Sequence, residues 1–209
     1  MVLELTDIHK KYGANTVLKF DTLKFESGVY WIKGGNGTGK STLFRVISGL
    51  TEFGGEVVLN GISLKKEPQL FRSTISYAEA EPLYPGFITG RELLDFYCDV
   101  RKAEKKEVDE LVDLFEMLPF LDQKIGGYSS GMLKKTSLIC AFIGNIDLYI
   151  LDEPLITIDA AAAGKLYALI RKKGALGKSF LLSSHQEVDA SLLNINAVME
   201  IRDKEVNRC

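Results

Sequence analysis

The sequence contains few cysteines and no cysteine pairing pattern. Cys98, Cys140 and Cys209 are the three present, and none of them stands in a CxxC spacing. An odd number of unclustered cysteines indicates neither a disulfide framework nor a zinc site. A reducing cytosol is therefore the simplest setting for the protein.

A long apolar run is also missing. Near the N-terminus, Glu4 and Asp7 interrupt the stretch that a signal peptide would need, and no later segment is long enough to span a bilayer. We therefore expect neither a signal peptide nor a membrane span. If the protein works at a membrane, another chain is expected to supply the channel.

Neither sign of charge predominates. The 209 residues include 26 Lys and Arg against 28 Asp and Glu, which gives a formal net charge of -2. This balance provides no overall electrostatic attraction to nucleic acid or to anionic lipid. We therefore expect no nucleic-acid partner. Hydrophobic residues make up 46% of the chain, enough for the core of one ordinary folded domain.

Short β-rich runs alternate with helical patterns along the chain. The runs begin at Val29, Val57, Thr74, Leu148, Ser179 and Ala197. This alternation predicts an α/β fold with a mainly parallel sheet and helices on both of its faces. The dipeptide Asn60-Gly61 predicts a hairpin turn, so an antiparallel β element is expected beside the main sheet.

A stretch of different character runs from about residue 86 to residue 135. Its apolar residues recur at helical spacing, which predicts a helical insertion in the α/β core. Thr89 and Glu92 fit a capping box that opens the first of these helices. We therefore predict a single domain over residues 1–209, with a core of about residues 1–85 and 136–209 and a helical subdomain of about residues 86–135.

A phosphate-binding loop follows the run that begins at Val29. The segment GGNGTGKS matches G-x-x-x-x-G-K-[ST] between a predicted strand and a predicted helix. Lys40 is expected to reach the β- and γ-phosphates of a nucleotide, and the Ser41 hydroxyl is expected to bind Mg²⁺. The residues assigned to this site are Gly34, Gly35, Asn36, Gly37, Thr38, Gly39, Lys40, Ser41 and Thr42.

Two adjacent carboxylates end the apolar run LYIL. Strand ends of this kind point into the ligand crevice of an open α/β sheet. Asp152 is expected to hold Mg²⁺, directly or indirectly, and Glu153 to orient or deprotonate the water that attacks the γ-phosphate. An exposed acidic turn before Pro154 is the alternative, and the phosphate loop makes it the minor one.

A third motif makes the sequence resemble the ABC ATPase family over nearly its whole length. The run Tyr128-Ser129-Ser130-Gly131-Met132 is similar to the LSGGQ signature of that family. The resemblance implies that two cassettes pair head to tail and that Ser129 and Gly131 contact the γ-phosphate bound to the partner chain. A Ser/Gly helix-capping turn without a ligand is the alternative.

Three further positions match the family. Tyr12 corresponds to the aromatic residue that stacks on adenine, although a half-buried strand residue is the alternative. Asp159 corresponds to the aspartate that communicates between the two nucleotide sites, and it fits equally well as a helix N-cap. His185 corresponds to the histidine that hydrogen-bonds the γ-phosphate. By this resemblance Glu153, His185 and Lys40 are the catalytic residues.

The resemblance also implies a fold and a function. The fold is the P-loop NTPase three-layer sandwich, and the function is that of the ATP-binding and ATP-hydrolysing subunit of an ABC transporter. Its expected cofactors are ATP and Mg²⁺, and its expected partners are a polytopic membrane permease and a second copy of the cassette. Such subunits lie peripherally on the cytoplasmic face of the inner (cell) membrane. The run TGRELLDFY looks more like bacterial exporter cassettes than importers.

One position departs from the family pattern. Members usually carry a glutamine that touches Mg²⁺ and the attacking water, and the aligned residue here is Ala80, between Glu79 and Glu81. We expect slow or metal-sensitive basal hydrolysis from this difference.

Two other functions stay open. A soluble ABC ATPase acting on ribosomes is one, although those proteins usually fuse two cassettes in one chain. A regulatory cassette that binds ATP without hydrolysing it is the other, and the presence of Glu153 argues against it.

Overall fold

The computed structural model of this chain describes residues 1–184 and 192–209. In chain order its strands and α-helices are β1 (Val2–Tyr12), β2 (Asn15–Glu26), β3 (Val29–Lys33), α1 (Lys40–Ile47), β4 (Gly54–Leu59), β5 (Ile62–Ser63), α2 (Pro68–Thr74), β6 (Ile75–Ala78), α3 (Gly90–Arg101), α4 (Lys105–Leu114), α5 (Ser130–Phe142), β7 (Leu148–Leu151), α6 (Ala160–Ala175), β8 (Ser179–Ser183), β9 (Ile195–Arg202) and β10 (Glu205–Arg208). None of the helices in these two ranges combines the length and the apolar character needed to span a bilayer.

The larger sheet has six strands in the order β10-β9-β3-β8-β7-β6. Every neighbouring pair from β9 to β6 is parallel, and only β10 pairs in the antiparallel sense among the described strands of this sheet. The prediction of a mainly parallel sheet is therefore confirmed.

The smaller sheet is antiparallel, with the order β2-β1-β4-β5. Asn60 and Gly61 form the turn between β4 and β5, and both have positive φ angles, 52° and 84°. Positive φ at both central residues is the requirement of a type I′ hairpin turn, which explains the Asn-Gly pair. The predicted antiparallel element is thus confirmed, and it extends to the long hairpin of β1 and β2.

Strand β7 shows how the larger sheet separates two apolar layers. Its four residues are all buried. Leu148 and Ile150 pack in one apolar cluster with α1 and the smaller sheet, whereas Tyr149 and Leu151 pack in the other with α3 to α6. Because successive strand residues point to opposite faces, a strand covered on both sides is apolar throughout.

The helical segment begins as the sequence predicts. Thr89 Oγ1 accepts a hydrogen bond from the Glu92 amide at 3.2 Å, and Glu92 Oε2 accepts one from the Thr89 amide at 2.7 Å. This is the predicted capping box. The division into core and helical subdomain remains a prediction, and α5 runs across the predicted boundary near residue 135.

Arg101, at the end of α3, joins three elements. Its Nη1 donates to the carbonyls of Cys140 (3.0 Å), Ala141 (3.2 Å) and Ile143 (2.8 Å), and its Nη2 donates to Ser76 Oγ on β6 (3.0 Å). The last carbonyls of a helix lack partners within that helix, so a cation placed at the end of α5 satisfies them. Arg101 therefore fastens α3 and α5 to the edge strand of the sheet.

Candidate active site

The phosphate-binding loop lies between β3 and α1, as predicted. Gly39 caps α1 with a φ of 109°, which a residue with a side chain rarely adopts. A Cβ at Gly34 would lie 2.4 Å from Thr38 Oγ1, so this position has no room for a side chain. The glycines thus serve both the conformation and the close packing of the loop.

The Lys40 ammonium lies inside this loop. Its Nζ donates to the Gly34 carbonyl at 2.7 Å and to the Gly35 carbonyl at 3.2 Å, and the residue is only 6% exposed. The side chain is therefore held where an anion cradled by the loop amides would meet a positive charge.

The loop and the acidic strand end face a common cavity of about 390 Å³. Its lining includes the predicted site residues Tyr12, Gly35, Asn36, Gly37, Gly39, Lys40, Ser41, Thr42 and Glu153. Val17, Ala80, Glu81 and Ile156 complete the wall, so Ala80 lies at the same cavity as Lys40 and Glu153. Residues far apart in the sequence therefore line one cavity.

Asp152 is buried behind this wall, with 1% exposure. Its Oδ1 accepts from Ser183 Oγ at 2.6 Å and its Oδ2 accepts from the Tyr77 hydroxyl at 3.2 Å. Burial, together with the neighbouring Asp152 carboxylate, raises the pKa of Tyr77 well above its usual range. The phenol therefore remains a donor at physiological pH, and both carboxylate oxygens are held in place.

Glu153 follows in an unusual backbone conformation. Its φ is 46°, in the left-handed region, which is uncommon for a residue other than glycine. Its amide donates to Ser183 Oγ at 2.9 Å, and the residue is 5% exposed. A single serine hydroxyl thus accepts from the Glu153 backbone and donates to the Asp152 side chain.

Lys134 is a residue of this region that the sequence analysis did not single out. It lies on α5, is 1% exposed, and donates to the carbonyls of Glu79 (2.9 Å), Ala80 (3.0 Å) and Asp152 (3.0 Å). Burial lowers the pKa of Lys134 to about 8, against the opposing effect of the nearby carboxylates. Its spacing offered a signal, because Lys134 shares the buried face of α5 with Leu138 and Ala141.

The signature residues do not line the cavity of their own chain. Ser129 is the N-cap of α5 and accepts from the Met132 amide at 3.2 Å. A Cβ at Gly131 would lie 2.8 Å from the Thr157 carbonyl oxygen, so this segment packs closely against the loop before α6. Ser129 is exposed, and neither residue is among those that line the cavity with Lys40 and Glu153.

Asp159 serves as a helix cap in this structure. Its Oδ1 accepts from the Ala162 amide at 2.8 Å at the start of α6, and its Oδ2 lies 3.0 Å from Lys135 Nζ. The capping function that the sequence left open is therefore present. A role between two nucleotide sites remains a prediction.

Tyr12 and His185 differ in how far the structure describes them. Tyr12 is 47% exposed, and the Lys10 Nζ lies 4.3 Å from its ring centroid. His185 lies outside the described residues.

Fold and site together define a P-loop ATPase with a helical segment. The family model described as "ABC transporter" matches residues 20–156. The chain is 30% identical over 190 residues to the ABC-type transporter ATP-binding protein EcsA of Bacillus subtilis, covering 88% of this chain and 77% of that protein. It is also 31% identical to the Nod factor export ATP-binding protein I of Sinorhizobium fredii, covering 92% of this chain but only 58% of that protein.

A solved structure agrees with these relatives. The structure of an ATP-binding subunit of an ABC transporter superposes with a TM-score of 0.89 at 27% identity, covering 99% of this chain and 88% of that chain. The chain therefore belongs to the ABC transporter family, as an ATP-binding subunit of the ABC ATPase class. The resemblance and the fold class expected from the sequence are confirmed.

Proposed function

We propose that this chain hydrolyses ATP with Mg²⁺ as one of two paired cassettes, and that the resulting movement drives a separate membrane permease. The observation that carries the proposal is the common cavity of about 390 Å³, which both Lys40 and Glu153 line. A phosphate-binding loop alone would support binding. Glu153 adds to the same cavity a carboxylate that can accept a proton from water.

The side chains divide the work of phosphoryl transfer. Lys40 neutralises phosphate oxygens, and Glu153 accepts a proton from the attacking water. Oxygen ligands suit Mg²⁺. The Ser41 hydroxyl at the cavity wall would be one, and the Asp152 carboxylate behind the wall would hold the metal directly or indirectly. When bound, the metal would withdraw charge from the phosphates. Tyr77 and Ser183 keep the Asp152 carboxylate in one orientation.

The nucleotide base has its own candidate contact. Tyr12 lines the same cavity as Lys40, with one face of its ring against the Lys10 ammonium. We propose that the opposite face stacks on adenine, as an aromatic ring of this kind allows.

The signature segment supports the pairing of two cassettes. Ser129 has a hydroxyl, and the backbone N–H groups of the first turn of α5 belong to a helix N-terminus. The hydroxyl and these N–H groups together form an anion-binding feature. Because this feature is not part of the chain's own cavity, we assign it to the γ-phosphate held by a second copy. Each copy would then contribute to two sites.

A groove beside α3 supports contact with a permease. It encloses about 730 Å³ and is lined by residues of α2 and α3 and of the segment before β7: Gln69, Arg72, Ser73, Phe96, Tyr97, Val100, Arg101, Lys102, Asn145 and Ile146. Phe96 and Val100 are 61% and 65% exposed. Apolar side chains exposed along a groove are typical of a binding surface. We propose that a cytoplasmic segment of the permease docks there and places the chain peripherally on the inner face of the membrane.

The test uses the Glu153→Gln chain as bait in the presence of ATP. Isolated from detergent-solubilised membranes of its source, it is expected to retain a polytopic membrane protein at stoichiometric yield, as identified by mass spectrometry. The matched bait adds Phe96→Ser and Val100→Ser, which should release that partner while ATP binding is kept. Ribosomal subunits in place of a membrane protein would contradict the proposal.

Ala80→Gln is expected to raise the basal turnover several-fold and to lower the Mg²⁺ concentration needed for half-maximal activity. Ala80 lines the cavity with Glu153, so a glutamine there adds an amide that reaches metal and water. The measurement is phosphate release against Mg²⁺ concentration. Ala80→Leu adds similar bulk without an amide and should give no gain. Unchanged kinetics in the glutamine variant would remove the idea.

A further inference from the structure

The peptide unit between Asp152 and Glu153 is held at both ends. Its carbonyl oxygen accepts from Lys134 Nζ at 3.0 Å, and its N–H donates to Ser183 Oγ at 2.9 Å. Lys134 comes from α5 and Ser183 from the end of β8, so two separate elements fix one peptide plane. The orientation of that plane is therefore determined by tertiary contacts.

This plane helps to set the backbone conformation of Glu153. Glu153 has a φ of 46°, a conformation that its own side chain disfavours. Such a conformation persists only where the surroundings impose it. If the peptide turned over, φ of Glu153 would leave the value that these two contacts maintain, in a residue that lines the cavity with Lys40.

Lys134 also holds a second segment of the cavity wall. The same ammonium donates to the carbonyls of Glu79 and Ala80, at 2.9 and 3.0 Å, and Ala80 lines the cavity. An ammonium has three donors, and all three are used by backbone carbonyls. Lys134 is thus fully occupied within the chain and does not itself reach a phosphate.

We propose that Lys134 is a positioning residue for ATP hydrolysis: it sets the Asp152–Glu153 peptide and the Ala80 segment at a fixed separation. This inference rests on the proposed function, because it concerns the geometry of Glu153 as the base. Since Lys134 lies on α5 with Gly131, and Ser129 caps that helix, a displacement of α5 by the second cassette would move the same peptide. Occupancy of one nucleotide site would thereby adjust the base of the other.

A purely structural lysine would behave differently. Its loss would reduce the free energy of unfolding and disturb ATP binding and turnover together. A positioning residue affects the chemical step while the phosphate loop, which Lys134 does not contact, keeps its affinity. The ratio of the change in kcat to the change in the ATP dissociation constant therefore separates the two roles.

The experiment compares wild-type protein with Lys134→Met, which keeps the length of the side chain and removes its donors. We expect kcat to fall about 10- to 100-fold, with the dissociation constant for a fluorescent ATP analogue within about two-fold of wild type. Lys134→Gln retains two N–H donors and should give an intermediate kcat. The matched control is Lys106→Met, which removes an exposed lysine of α4 and should leave kcat unchanged.

The outcomes separate the two proposals. If wild-type protein hydrolyses ATP and Lys134→Met retains its kcat, the positioning role is wrong and the proposed function stands. If Lys134→Met loses ATP affinity as much as kcat, the role is structural and the inference is overturned. Should the Met variant not fold, a wild-type kcat in Lys134→Gln overturns it instead. Absence of turnover in wild-type protein contradicts the proposed function itself.

Discussion

Glu153→Gln is expected to reduce ATP turnover by at least about 10²-fold while ATP binding is retained. The amide has nearly the same shape as the carboxylate and still lies at the cavity wall, but it cannot accept the proton of the attacking water. ATP should therefore remain intact between two copies and hold them together. Phosphate release measures the loss, and size-exclusion chromatography with and without ATP measures the dimer.

Glu110→Gln is the matched control for this substitution. Glu110 is exposed on α4, so the same chemical change there should leave turnover and dimerisation as in the wild type. A Glu153→Gln chain that still hydrolyses ATP near the wild-type rate would exclude Glu153 as the base.

Lys40→Met is expected to weaken ATP binding by about 10- to 100-fold, the effect of losing a charge-assisted hydrogen bond to phosphate. Met keeps the apolar stem of the side chain, which is 6% exposed, and removes only the ammonium. Isothermal titration with ATP provides the measurement. The loss should be larger for ATP than for adenosine, because the phosphates supply the partner charge.

Lys33→Met controls for the loss of a lysine near the same loop. Lys33 ends β3, and its Nζ lies 4.0 Å from the Trp31 ring centroid rather than within the loop. ATP affinity should be unchanged in this variant. Equal affinities in Lys40→Met and wild type would exclude the loop as the phosphate site.

The sequence predicted those parts of the candidate site that lie in one continuous segment. The phosphate loop and the Asp152–Glu153 pair are each a short run with its own strand, so the pattern could be recognised directly. The long strand β1 was not predicted, and its register explains why. Asp7 has a φ of 52° at an irregularity of the pairing, and the buried positions shift there from Leu3 and Leu5 to Ile8 and Lys10. A strand whose alternation changes parity lacks the regular period of two.

The contacts between segments could not be predicted in the same way. Tyr77, Lys134 and Ser183 come from a strand, a helix and another strand, and they meet only because the parallel strands β6, β7 and β8 end side by side. Each is an ordinary residue in its own run. What makes them part of the site is the hydrogen bonds they donate or accept at the ends of these strands.

Arg101 limits where the helical segment can bend. Four hydrogen bonds tie the end of α3 to the end of α5 and to Ser76, one residue before Tyr77 on β6. The groove wall and this edge strand are therefore joined directly, and we expect the helical segment to bend at the loops that lead into α3 and α5 rather than at Arg101. A force applied to Phe96 by a docked protein would be transmitted through α3 and Arg101 to β6, the neighbour of β7, rather than through a flexible loop. Strand β7 leads directly to the two carboxylates.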